Sequence, residues 1–113
     1  MQKILLLVDD IYEDLELWYP RIRLEEAGFP VIVAGPLSGH LYKGKYGYPC
    51  KADISFQEIK SQDFQGVVIP GGYAPDRMRR NREVLDAVHE FDKEKKLVAF
   101  ICHGGWVACS AKI

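Results

Sequence analysis

An α/β protein on a parallel sheet is predicted by three observations in this 113-residue chain. Four short apolar runs recur along it, at residues 3–8, 31–34, 66–69 and 97–101. None alternates apolar with polar, as a strand buried on both faces requires. Helical stretches and glycine- or proline-bearing turns separate the runs, giving the βαβ rhythm that closes into right-handed crossovers. The strand order 2-1-3-4 follows, with 97–101 at an edge. A fully apolar edge strand is an aggregation liability and is normally covered, so a missing C-terminal portion is expected to lie over it.

The first run ends on Asp9 and Asp10. A helix is expected over 13–27, with Gly28 as its stop. Pro20 lies inside it and removes a backbone hydrogen bond, so a short first turn and then a main helix are expected. Residues 31–34 form the second strand, closed by Gly35 and Pro36. The stretch 37–52 mixes glycines with Leu41, Tyr42, Tyr46 and Tyr48 and reads as a loop with a small hairpin. Ser55 and Glu58 have capping-box spacing, which starts a short helix. The third strand, 66–69, runs into Pro70, Gly71 and Gly72. Pro75 suits the first turn of a short helix. Asn81 caps a longer one with a buried stripe of Val84, Leu85, Val88 and Phe91. After the fourth strand, 102–113 begins another helix, with Val107 and Cys109 expected in the core.

Composition narrows the function. Apolar residues make up 48% and charged residues 27%, and the net charge is -1. That balance points to neither a nucleic-acid nor a membrane-surface partner. Arg77, Arg79, Arg80 and Arg82 form one local basic run, read as a solvated, ion-paired helix face, with a subunit interface as the alternative. No run approaches the ~18 apolar residues of a membrane span, and the N-terminus lacks a signal-peptide layout. Cys50, Cys102 and Cys109 are odd in number and form no CxxC pair, which speaks against a disulfide framework and a zinc site. A cytoplasmic protein with no metal and no cofactor is expected.

Ligand sites in parallel sheets lie beyond the carboxyl ends of the strands. Residues 9–14, 35–36, 70–76 and 102–103 meet there. The sequence ICHGG at 101–105 follows a buried strand and opens a helix, as a nucleophile elbow does. Unpaired helix N–H groups favour a thiolate at such a position and can hold an oxyanion. Cys102 is therefore the candidate nucleophile. His103 serves either as general base or through its backbone N–H. Gly72 can bring its N–H close to a substrate oxygen where a side chain would obstruct. Glu13 and Asp14 either complement the helix dipole or place a carboxyl beside the sulfur.

Three stretches, EDLELWYP at 13–20, VIPGGYAPDR at 68–77 and AFICHG at 99–104, closely resemble the PfpI branch of the ThiJ/PfpI superfamily over essentially the whole chain. The resemblance implies a flavodoxin-like three-layer sandwich of the class I glutamine amidotransferase type. Cys102 matches the family nucleophile, and His103 the adjacent histidine. Glu13 is matched to the buried glutamate that contacts the thiol. Gly72, with Gly71 before it, matches the oxyanion-site glycine. Asp76 stands where PfpI proteins carry a glutamate that completes a neighbouring subunit's site, so a homo-oligomer is implied. Family members run further beyond the elbow helix, so 1–113 is expected to be one PfpI-like domain lacking its C-terminal third. The implied activities are intracellular peptidase or amidase action, or glyoxalase or deglycase action. Both begin with attack of the Cys102 sulfur on a carbonyl carbon of a small compound or peptide. One alternative is a cysteine redox sensor of the same superfamily, acting through an oxidised Cys102. A phosphorelay receiver is more remote. Asp9 and Asp10 suit it, but Asp53 does not end an apolar strand. A flavodoxin is weaker still, because the acidic first loop repels phosphate.

Overall fold

In the computed structural model, which describes residues 2–113, five parallel strands form the central sheet. They are β1 (Lys3–Leu7), β2 (Val31–Gly35), β5 (Ile54–Ser55), β6 (Phe64–Ile69) and β7 (Leu97–Phe100), in the order β5-β2-β1-β6-β7. The four expected strands take their 2-1-3-4 order, and β5 extends the β2 edge by two residues. β1 sits centrally because Ile4 to Val8 are all buried. It pairs through Leu5 with Ile32 on one side and Val67 on the other. Between β2 and β5 lies the expected hairpin, β3 (Leu41–Lys43) antiparallel to β4 (Pro49–Lys51).

The helices are α1 (Asp14–Glu26), α2 (Ala74–Met78), α3 (Arg82–Lys93) and α4 (Gly105–Ser110). The step from β1 to β2 and the step from β6 to β7 run in opposite directions across the sheet. Right-handed crossovers therefore place α1 and α3 on opposite faces, which makes a flavodoxin-like sandwich. α3 seats Val84, Val88 and Phe91 against the sheet, with Phe91 stacked on Phe64 at 6.3 Å between ring centroids. Asn81 caps it by accepting from the Glu83 N–H at 3.0 Å. The Ser55–Glu58 capping box starts a single 3-10 turn, Phe56–Glu58.

Two expectations need correction. α1 runs unbroken through Pro20. Glu13 caps one end of it, a cap at Ala27 closes the other, and fully buried Leu17 anchors the middle. One missing bond does not break a helix pinned this way. Cys109 is exposed rather than core, because α4 turns Val107 and Ala108 inward instead. α1 also leaves Leu15, Tyr19 and Ile22 exposed, and β7 leaves Leu97 and Phe100 half exposed. An apolar cleft of about 580 Å³ runs between Leu15 and Tyr19 on one side and Leu97 and Phe100 on the other. Among the described residues, no helix is long and apolar enough to cross a membrane.

Asp9, at the end of β1, is buried with 8% exposure and accepts from the Asp10 N–H at 2.7 Å. Burial raises its pKa above the ordinary 3.8, against the opposing pull of the Asp10 amide and Arg77. A carboxyl whose folded pKa is raised contributes most below its unfolded pKa, and that contribution is lost as pH rises through the folded value. Asp9→Asn, which keeps the acceptor, is therefore expected to raise the urea midpoint at pH 7. The gain should shrink towards pH 4, and a loss of stability at pH 7 would contradict it.

Candidate active site

The site grows from the junction of β7 and α4. Ile101 is the last extended residue, and its N–H reaches Ile69 O at 3.3 Å. Cys102 then turns sharply with φ 54, and one 3-10 turn, Cys102–Gly104, leads into α4. A positive φ is strained for any residue with a side chain and persists only where the surroundings enforce it. Here the Gly104 N–H folds back onto Ile101 O at 2.9 Å. The turn also packs so closely on β6 that a Cβ at Gly104 would lie 2.5 Å from Ile69 O. The result is an exposed thiol at the carboxyl end of the sheet.

The end of β6 supplies the facing wall. Gly72 has φ 81 and bridges Tyr12. The two hydrogen bonds beside it run from Glu13 N–H to Gly71 O (3.1 Å) and from Tyr73 N–H to Ile11 O (2.8 Å). Gly72 N–H takes no part in either. Gly72 O lies 3.2 Å from His103 Nδ1. A carbonyl oxygen only accepts, so Nδ1 is the donor in this contact, and in the neutral ring Nε2 is then the acceptor. The His103 ring stacks on Trp106 at 4.4 Å between centroids, 16° from parallel. Trp106 lies three residues further along the chain, on α4.

The structure does not bring Glu13 to the sulfur in the way that was expected. Its Oε1 caps its own helix, accepting from Leu15 N–H (2.8 Å) and Glu16 N–H (3.3 Å). Glu16, one turn further in, reaches the end of β6 instead. Its Oε1 accepts from Gly71 N–H at 2.9 Å. A Cβ built on Gly71 would collide with that oxygen and would stand 3.1 Å from Cys102 Cβ. The carboxylate and the cysteine therefore meet at one glycine. Between Glu13 and Glu16 in sequence, Asp14 is taken up by the hairpin, accepting from Tyr46 N–H (3.0 Å) and Tyr48 N–H (3.1 Å), and nothing in the residue types alone separates the three acids.

Asp76 lies on α2 with its side chain 44% exposed and paired to Arg80 at 3.0 Å. Cys50 is buried on β4 beside Arg21 Nη1 at 3.7 Å, and burial raises its pKa against the pull of that guanidinium. Asp53 accepts from Val33 N–H at 2.9 Å, a brace between β2 and the turn before β5. Among the described residues, no three His, Cys, Asp or Glu side chains gather as a metal site.

A family model described as the DJ-1/PfpI family matches residues 2–113. The chain belongs to the DJ-1/PfpI family. It is 40% identical over 111 residues to a deglycase, PfpI, of Pyrococcus furiosus, covering 98% of this chain and 66% of that protein. A two-domain protein of Anabaena variabilis, with DJ-1/ThiJ/PfpI-like and ferritin-like domains, superposes with a TM-score of 0.95 at 40% identity. The match covers 98% of this chain and 32% of that one. Schizosaccharomyces pombe DJ-1 superposes with a TM-score of 0.86 at 25% identity, over 98% of this chain and 63% of that one. The DJ-1/PfpI chain thus spans just under two thirds of the length of the Pyrococcus relative.

Proposed function

We propose that the protein to which this chain corresponds is a cysteine enzyme acting on reactive carbonyls, of the deglycase or glyoxalase type. The observation carrying this reading is Cys102 at φ 54, exposed between His103 and the Gly71–Gly72 turn. The name deglycase attached to a relative 40% identical favours carbonyl chemistry over peptidase chemistry.

In this reading the Cys102 sulfur forms a bond to the carbonyl carbon, and the carbonyl π pair moves onto its oxygen. That oxygen gathers charge between the backbone N–H groups of Gly72 and His103. The thiol proton passes to it, by way of a neighbouring base, to complete a hemithioacetal. The relay is assigned to His103 Nε2 and the Glu16 carboxylate, a reading supported by the His103 contact with Gly72 O and by the Gly71 neighbourhood that Glu16 shares with Cys102. Asp76 would approach the site of a neighbouring copy in a homo-oligomer, released from Arg80 as it did so.

Methylglyoxal consumption by two variants tests the assignment. Glu16→Gln is expected to lower kcat/KM by at least about tenfold, in the range of a lost proton-handling group. Glu13→Ala should keep turnover and lose about 1 kcal/mol of stability as a removed N-cap. The reverse pattern would return the role to Glu13. Absence of carbonyl turnover together with cleavage of a fluorogenic peptide would favour the peptidase.

A further inference from the structure

Beside the elbow lies a second cleft of about 620 Å³, lined by Ile11, Tyr73, Asp76, Arg77, Arg80 and Trp106. Trp106 belongs to both places, because its ring also stacks on His103. The Arg79 guanidinium sits over the same indole, 5.4 Å from the centroid, and its Nε donates to Ser110 Oγ at 2.9 Å. Two guanidinium groups, Arg77 and Arg80, therefore line this mouth of the site, with a third, Arg79, behind them on the indole. The carboxylates that face them are Asp76, paired to Arg80, and buried Asp9, which feels Arg77. The cations outnumber them. On the Gly71 side of Cys102 the polarity reverses, for there the neighbouring charge is the Glu16 carboxylate.

From this polarity we infer that the site prefers carbonyl compounds that carry a carboxylate, the chemistry of 2-oxo acids, over neutral dicarbonyls. The inference rests on the proposed reading of Cys102 and names the substrate class of that site. An anionic substrate can lie against Trp106 with its carboxylate towards Arg77 and Arg80, where a planar guanidinium offers a two-pronged match. Its carbonyl carbon then faces Cys102 and its charge stays away from Glu16. Arg77 and Arg80 are exposed, so they are free to move onto a ligand, with Arg80 exchanging Asp76 for it.

The test needs no turnover. Cys102 is alkylated with iodoacetate, which is anionic, and with iodoacetamide, which is neutral and nearly the same size, and each rate is read by peptide mass spectrometry. Any change in thiol reactivity cancels in the ratio of the two rates, leaving the local field. One charge several ångströms away in a water-like medium shifts such a ratio on the order of threefold. Arg80→Gln is expected to lower the iodoacetate-to-iodoacetamide ratio about threefold, and the double variant with Arg77→Gln further. Arg82→Gln, exposed on α3 beside Asp86, should leave it unchanged. Raising the salt should lower the ratio in the unmodified chain, a reading that stands even if a variant fails to fold. Glyoxylate should also protect Cys102 from iodoacetamide at lower concentration than methylglyoxal does. A ratio insensitive to both salt and the arginines, or protection favouring methylglyoxal, would overturn the inference and leave the nucleophile intact. Inertness of Cys102 to both reagents would overturn the nucleophile itself.

Discussion

Cys102→Ser is expected to abolish carbonyl turnover, by at least about a thousandfold, while the chain unfolds at an unchanged urea concentration. The hydroxyl is a far weaker nucleophile than a thiol when no strong base is arranged to activate it. The fold should not notice the exchange, since the Cys102 side chain is exposed and the strained φ belongs to the backbone turn. Serine is hardly smaller than cysteine and enters the left-handed region at a similar cost. Full activity in the serine variant would refute the central role of Cys102. A large fall in stability would mean that the sulfur is structural.

Gly72→Ala should be far more damaging to the fold than its size suggests. A Cβ there would lie 2.5 Å from Glu13 N, 2.6 Å from Ile11 O and 2.8 Å from Tyr12 C, and all three are backbone atoms. They belong to the segment joining β1 to α1, held by the Glu13-to-Gly71 and Tyr73-to-Ile11 hydrogen bonds. No rotamer change relieves the contact. The backbone would have to part, on top of the roughly 1 kcal/mol that φ 81 costs a residue with a side chain. Together these come to roughly 3–5 kcal/mol, the range of a severe backbone or packing defect. A domain of this size has only about 5–15 kcal/mol in all. Gly47→Ala is the comparison, because φ is 91 there and no atom lies within 4 Å of the added carbon. It should cost about 1 kcal/mol. Equal urea midpoints for the two variants would show that the close approach at Gly72 is not enforced.

Much of this architecture was legible because the four main strands carry apolar runs with neither helical nor alternating period, even though β7, at the edge, is half exposed. The elbow was legible too, since cysteine, histidine and two glycines directly after such a strand leave few other shapes. What escaped depended on contacts between distant segments. β5 is only two residues long, and its pairing of Ile54 with Ala34 leaves no periodic trace. Trp106 and Arg79 come together only when α2 packs on α4. The motif EDLE offers three acids at the end of the first strand, and only the packed structure shows Glu13 capping its own helix while Glu16 reaches Gly71. Pro20 misled because propensity overstated a defect that tertiary anchoring absorbs.

The account depends most directly on Cys102 being the reactive thiol of this chain, and the three cysteines provide an internal comparison. Iodoacetamide labelling near pH 6.5, followed at each cysteine by peptide mass spectrometry, separates their rates. Cys102 should react at least about tenfold faster than Cys109, which is equally free but lies on the body of a helix. Cys50 should react slowest, being buried with its pKa raised. Labelling of Cys109 as fast as Cys102 would contradict the account, for it would leave the elbow with no more than an ordinary surface thiol.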